Sequence, residues 1–437
     1  VYLAEQDLSH WLVEAGYALL IHATHSGAPA ARRDTGVGQP GAPAAPSGPA
    51  ARRPGVLAEH NTDGLLVFAN SLDAAELSRL HALDFPVLLL FSAPPAGLDL
   101  PSVGVDNAGL EGIEYAFNDE LAPQTVGTDR DTVYGSQVVL TIDAAVQHRV
   151  ERVARAAFRS TRADSLMVLV LDADTAEVLS WVSLPDFDPN EVQTGSSTAG
   201  HAELTNRAVA MAYEPGSVFK VFSIASLLQL GTIDSASTFT CRGYYEQLLA
   251  DGTSIRIGCI REHGVVDARR ILQYSWNAGA AYASDIATND TFAAALARFG
   301  FGRETGVPLP GESAGLLAPV AKWSARSKAT IAFGQEVSAS ALQVAAAAVA
   351  IANGGTLLEP LVVSRIVAPD GKVVRAFGRK PLWEAVSART AREVLDMLES
   401  ATGEGGTARR AAIEGIRISA KTGTAQVTDP ATGKYSE

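Results

Sequence analysis

Three short patterns in this chain pair a hydroxyl with a lysine or an amide at spacings that could do chemistry: Ser217-Val-Phe-Lys220, Ser275-Trp-Asn277 and Lys421-Thr422-Gly423. Pro215 and Gly216 interrupt the chain before an apolar helical run, VFKVFSIASLLQL. Ser217 therefore falls in a first helical turn, where exposed backbone N–H groups and the helix dipole favour developing negative charge. Lys220, three residues on, projects from the same face within reach of the serine hydroxyl. A lysine buried beside other cationic groups loses its proton near neutral pH and can act as the base that makes Ser217 a nucleophile. Ser275 and Asn277 are two apart, so on an extended or looped segment both face one cleft. Ser275 would pass a proton to a leaving amine, and Asn277 would hydrogen-bond a substrate amide or Lys220. Lys421 and Thr422 follow the alternating stretch GIRIS, read here as a strand, and would hold a substrate carboxylate. Gly423 would leave room for substrate along the strand edge, and the N–H groups of Thr424 and Ser217 would form an oxyanion hole. With no G-x-S-x-G turn and no histidine beside Ser217, a lysine-activated serine is more economical than a Ser-His-Asp triad.

Each pattern is weak alone. An S-x-x-K is expected about once by chance in a chain of this size, and Ser and Asn are common turn formers. Their weight comes from order and spacing, and from the elements that must position them. YGSQVVLTID reads as a strand ending at Asp143, which caps a helix whose positions Val146, Val150, Val153, Ala154 and Ala157 share one face. SLMVLVLDADTAEVLSWVS reads as a hairpin of two apolar strands around a DADT turn. Towards the N-terminus, residues 1–27 read as a helix followed by an apolar strand from Tyr17 to His22, and residues 28–55 as a Pro/Ala-rich linker or insertion. Gly36, Gly38 and Gly41 in that stretch match G-x-G-x-x-G. The prolines that follow cannot open the helix a dinucleotide site requires, so no cofactor is implied. From Asp63 to Val105, apolar runs alternate with a helical stretch, the pattern of a parallel α/β layer.

With 437 residues, 47% hydrophobic and 19% charged, the chain should fold, as two or three domains. A net charge of -13 excludes a nucleic-acid partner. The two cysteines, Cys241 and Cys259, lack metal-ligand spacing, so no metal is expected; a disulfide and a pair of thiols both stay open. No run of about 18 apolar residues and no leader peptide is evident, so the chain reads as soluble, without anchor or signal. It opens on Val and closes on GKYSE just after a motif that belongs in mid-domain, and both ends read as truncated.

The stretch from Val138 to Gln426 resembles the transpeptidase domain of class B penicillin-binding proteins. Beyond the three patterns, the pieces carrying the resemblance are LTIDAAVQ, SLPDFDPN, YEPGSVFK, FGFGRETGVPLPGE, FGQEVSASALQVAAAAVAIANGG, GEGGTARRA and KTGTAQ. GLEGIEYAFNDEL (109–121) resembles the segment that precedes this domain. Ahead of it, EAGYALLIHATH, DGLLVFANS, FPVLLLF and LDLPSVGVDN resemble one lobe of the LacI/GalR effector-binding domain. The implied fold is an α/β N-terminal fragment with a parallel sheet, like part of a periplasmic-binding-protein lobe, over residues 1–107 with its insertion at 28–55. A linker at 108–134 follows. Residues 135–437 would be an α+β serine transpeptidase/β-lactamase-like domain, an antiparallel sheet flanked by helices, ending before its last strands.

The implied activity is acylation of Ser217 by the D-Ala-D-Ala end of a peptidoglycan stem peptide, then attack by a neighbouring stem's amine, outside the cytoplasmic membrane. β-Lactams would trap the acyl-enzyme, and a glycosyltransferase is the implied partner. Lys220, Ser275 and Asn277 would join Ser217 in catalysis, with Lys421, Thr422, Gly423 and Thr424 binding substrate. Loss of the last strands would weaken or abolish activity. A β-lactamase-type hydrolase using the same serine, and a non-catalytic ligand-binding fusion, are the competing readings.

Overall fold

The computed structural model describes residues 135–187 and 205–425, apart from 250–251, 260–261 and 263. It also describes 78, 109, 111–122 and the backbone of 17–24, 65–68, 87–90, 102–103, 124–125 and 132–133. The expected helix before Tyr17, the 28–55 insertion and nearly all of the helical stretch after Asp63 lie outside these residues. Strands β1 (Tyr17–Thr24), β2 (Leu65–Phe68), β3 (Val87–Leu90) and β4 (Ser102–Val103) mark the N-terminal part, and β2, β3 and β4 pair in parallel in that order. GLEGIEYAFNDEL forms two short helical turns, Gly112–Ala116 and Asn118–Leu121.

The main body begins with β5 (Gln137–Leu140), helix α1 (Ala144–Thr161) and the hairpin β6 (Ser165–Asp172) and β7 (Val178–Leu184). Asp143 caps α1 as expected, its carboxylate accepting from the N–H groups of Ala145 and Val146. The hairpin turns on Asp172, whose side chain accepts from Asp174 N, Thr175 N and Thr175 Oγ1. Ser165 through Leu171 are all buried, so β6 is covered on both faces, whereas β7 alternates between buried and half-buried positions. Leu166, Val168 and Val170 face the apolar stripe of α1, composed of the five residues its periodicity predicts. Met167, Leu169 and Leu171 face Ala341, Leu342, Ala345 and Val349. A covered central strand needs a hydrogen-bonding neighbour on each edge. One is β7; the other is β1, antiparallel from Tyr17 opposite Asp172 to Thr24 opposite Ser165. The sequence reading groups Tyr17–His22 with the N-terminal parallel layer. The structure instead pairs this segment with the antiparallel sheet, because an apolar run of strand length satisfies whichever edge lies open to it.

A helical layer holds Ser217, Lys220, Ser275 and Asn277. A 3-10 turn at Gly216–Phe219 leads into α2 (Lys220–Gln229); α3 (Ala268–Tyr274), α4 (Asn277–Asp285) and α5 (Asn289–Ala297) follow. Then come α6 (Ser327–Ile331), α7 (Ala341–Ala352) and α8 (Ala388–Glu399). Helix α2 is buried on nearly every side and packs on α4, α5 and α8. Phe222 lies at its centre, 1% exposed, with ring centroids 5.9, 5.3 and 5.1 Å from Phe219, Phe299 and Phe301. Phe222→Ala would remove that ring and leave a cavity beside Phe219 in the Ser217 turn. The expected cost is about 3–5 kcal/mol, read as a lowered urea midpoint at unchanged slope.

One expected strand is missing. GIRIS before Lys421 alternates like a strand, but residues 417–425 are assigned no ladder, and Ile416 forms only an isolated bridge with Ile413. A strand exists only with a partner beside it, and none runs alongside this segment among the described residues. It is held instead by α8: Ala420 N donates to Leu398 O at 3.4 Å, Ser419 Oγ to Leu395 O at 2.9 Å, and Arg417 bonds Asp396 and Glu399.

Candidate active site

Ser217 is set by a glycine bracket. Gly216 adopts φ +54, and a Cβ there would stand 2.4 Å from Thr424 O. Its N–H donates to Gly334 O at 3.0 Å. Gly334, at φ +85, is equally constrained, since a Cβ would meet Gly216 O at 2.1 Å. The turn carrying Ser217 is 3-10 rather than α, and Lys220 is the first residue of α2. The S-x-x-K spacing survives that change. Lys220 Nζ lies 2.6 Å from Ser217 Oγ.

The second motif is a helix junction, not the extended loop its spacing suggests. Ser275 ends α3 in the left-handed region at φ +62, Trp276 caps α4, and Asn277 is the first residue of α4. That reversal turns both the carbonyl and the hydroxyl of Ser275 towards Lys220 Nζ, at 3.0 and 3.3 Å. Asn277 Oδ1 accepts from the same nitrogen at 2.7 Å. A non-glycine residue held at positive φ stores strain, and such positions concentrate at functional sites.

Lys220 is 0% exposed and no carboxylate among the described residues bonds to it. Burial, and then the charge of Lys421, push its pKa well below that of an ordinary lysine; Cys259 opposes this weakly. A neutral amine has two N–H donors and one lone pair. The N–H bonds are best spent on Asn277 Oδ1 and Ser275 O, leaving the lone pair for the proton of Ser217 Oγ at 2.6 Å. This is the geometry of a general base beside its nucleophile.

Lys421 joins the cluster from the third motif, its Nζ donating to Ser275 Oγ at 2.8 Å and to Thr422 O at 2.7 Å. Burial lowers its pKa to about 7. Ser275 Oγ thus bridges two amines, as a proton relay requires. Gly423 has a use the sequence does not reveal: a Cβ there would lie 2.6 Å from Val218 Cγ2 and 3.2 Å from Pro215 O. Its absence lets the Lys421 segment close against the serine turn and brings the backbone of Thr424 beside Gly216. Thr424 itself is exposed and Thr422 half-buried, both open to a ligand.

All three motifs therefore meet at one point, Lys220, across separations of 55, 57 and about 200 residues. Sequence reasoning did not single out Gly334, whose carbonyl accepts from Gly216 N, and did not place Cys259 beside the second motif. Cys259 is a thiol whose Sγ accepts from Ala278 N at 3.4 Å, next to Asn277. Among the described residues no cluster of His, Cys, Asp and Glu could hold a metal ion, and no helix is long and apolar enough to cross a membrane.

Comparison with known proteins finds relatives of this chain. Residues 166–437 match the model of the penicillin binding protein transpeptidase domain. Stage V sporulation protein D of Bacillus subtilis is 31% identical over 353 residues, 76% of this chain and 53% of that protein. Penicillin-binding protein PbpB of Mycobacterium tuberculosis is 33% identical over 328 residues, 72% of this chain and 46% of that protein. The chain spans about half the length of the curated relatives it matches. Among solved structures, penicillin binding protein 3 of the tuberculosis bacterium complexed with ampicillin superposes with a TM-score of 0.69 at 31% identity, covering 77% of this chain and 74% of that one. These matches give no support to a LacI/GalR-like lobe in residues 1–107.

Proposed function

The chain belongs to the penicillin-binding protein transpeptidase family, and from that membership and the site geometry we propose that it is a peptidoglycan D,D-transpeptidase working through a Ser217 acyl-enzyme. The observation that carries the reading is the contact of a fully buried lysine amine with Ser217 Oγ at 2.6 Å, with Asn277, Ser275 and Lys421 gathered on the same cluster.

In the proposed reaction Ser217 Oγ attacks the carbonyl carbon of the penultimate D-alanine while Lys220 Nζ takes the hydroxyl proton. The N–H groups of Ser217 and Thr424 face the oxygen that becomes negative. The amide C–N bond breaks, and a proton relayed from Lys220 through Ser275 Oγ neutralises the departing D-alanine amine. Lys421 and Thr422 hold the terminal carboxylate. An amine of a second stem peptide then attacks the ester, gives its proton back along the same path, and leaves Ser217 free with a new amide bond formed. A site for such a substrate must lie outside the cytoplasmic membrane, and an enzyme that polymerises glycan strands is the natural partner.

Benzylpenicillin carries a strained amide for Ser217 to open and a carboxylate for Lys421 and Thr422 to hold. Intact-protein mass spectrometry should therefore find one added penicilloyl group, mapped by proteolysis to the peptide holding Ser217 and persisting for many minutes. No adduct, or an adduct on another peptide, would overturn the reading. An adduct lost within seconds with release of penicilloate would make the chain a β-lactamase-type hydrolase.

A further inference from the structure

Between α6 and α7 the chain passes alongside the nucleophile turn. Tyr213 and Ala339 exchange both backbone hydrogen bonds at 3.0 Å, and Gly216 N donates to Gly334 O at 3.0 Å. Between these ties stands Glu336, one of four non-glycine residues at positive φ among those described, at +57. Its backbone N–H donates to Glu214 Oε1 at 2.9 Å, three residues before Ser217. Its carboxylate reaches back from an exposed position to two buried hydroxyls of α6, accepting from Ser327 Oγ at 2.6 Å and from Thr330 Oγ1 at 2.7 Å. Helix α6 packs on α4, whose first residue is Asn277.

From this connection we propose that Glu336 is a positioning residue for acylation: its two halves lock the Ser217 turn to the helix pair that carries Asn277. The left-handed backbone at 336 points the N–H outward to Glu214, and the side chain, anchored on α6, holds that backbone in a conformation it would otherwise leave. Ser217 Oγ reaches Lys220 only if the 213–217 segment keeps its place against α4, since Lys220 is held by Ser275 and Asn277. A displacement of about 1 Å at the reacting atoms can cost about 10²-fold in rate. This role rests on the acyl-enzyme reading for its kinetic consequence, but not for its structural one.

The test uses the whole chain with Glu336→Ala, Glu336→Gln and Glu336→Gly, together with Thr330→Val and Thr330→Ser. Stopped-flow acylation by a fluorescent penicillin separates the acylation rate constant from the prior dissociation constant. Glu336→Ala and Thr330→Val should lower the rate constant about 10- to 100-fold, with the dissociation constant within about twofold and the pH profile unshifted. Glu336→Gln and Thr330→Ser each keep an acceptor or a hydroxyl and should recover most of the rate. Glu336→Gly removes the strain together with the anchors, so it should be as slow as Glu336→Ala. A fast Glu336→Gly variant, or a loss confined to the dissociation constant, would overturn the proposal.

Hydrogen exchange provides a reading that does not need acylation. Amides of residues 216–220 should exchange faster in Glu336→Ala than in wild type while those of β6 stay unchanged; equal rates at 216–220, or a rise everywhere, would overturn it. A wild-type chain inert to penicillin would sink the transpeptidase reading, leaving the exchange rates to judge the clamp.

Discussion

Ser217→Ala is expected to abolish covalent capture of penicillins, lowering acylation by about 10⁴-fold or more while the protein stays folded. The expectation follows from what the site can substitute. Ser217 is half-buried in a 3-10 turn that alanine adopts readily. Losing its hydroxyl removes one of four oxygens around Lys220 Nζ and leaves Ser275 O and Asn277 Oδ1 bonded. Unfolding temperature should therefore change by only a few degrees, because one part-buried hydrogen bond contributes about 1 kcal/mol. Among the described residues the other hydroxyl bonded to these amines is that of Ser275, 3.3 Å from Lys220 Nζ and 2.8 Å from Lys421 Nζ. A Ser217→Ala chain that still labels would make Ser275 the nucleophile. Ser275→Ala is the matching control: it breaks the relay but keeps the nucleophile, so labelling should slow and not vanish, by about 10²-fold. The two variants read together, by fluorescent-penicillin gel and mass spectrometry, decide which serine forms the ester.

What the sequence made legible at this site is what lies close along the chain. Ser217 and Lys220 are one turn apart on a helix start, so either helical geometry, 3-10 or α, puts them on one face, while tertiary ties set the 2.6 Å contact. The five apolar positions of α1 and its Asp143 cap follow from a 3.6-residue period and a local hydrogen bond, and all are found. Contacts made by folding are different in kind. Nothing in Ser275-Trp-Asn277 announces that Ser275 adopts φ +62, or that Asn277 begins a helix, although the alanines after it favour one. GIRIS has the alternation of a strand, but alternation states which face is apolar, not whether a neighbour exists. Segment β1 has the reverse history: its apolar run was legible, its partner was not. Gly216 and Gly423 stand out in the sequence as a helix break and a motif member, but no local rule announces the approach each makes to a distant segment, or picks Gly334 out of 39 glycines.

The other large effect concerns Lys220, and it is visible in pH as well as in rate. Lys220→Met keeps the length of the side chain, fills the buried slot and removes the amine, so acylation should fall by about 10²–10⁴-fold, the usual contribution of a positioned base. The proposed reaction needs two lysines of one cluster in opposite protonation states: Lys220 neutral to accept the Ser217 proton, Lys421 charged to hold a carboxylate. Their surroundings push them apart in that sense. Lys220 is wholly buried and feels the charge of Lys421, so it gives up its proton first; Lys421 is lowered only to about 7. The apparent second-order acylation constant should thus rise with pH as Lys220 deprotonates, then fall above about pH 7 as Lys421 loses the charge that binds the ligand. A bound carboxylate favours the charged amine, so at saturating penicillin the alkaline limb should move to higher pH. Lys421→Arg should remove that limb, because a guanidinium stays protonated throughout. The methyl ester of the penicillin, with no carboxylate to pair, should be acylated slowly and without an alkaline fall. A wild-type profile that rises steadily through pH 9 for the free acid would show that Lys421 does not hold the carboxylate. A Lys220→Met chain acylated at the wild-type rate would remove Lys220 as the base.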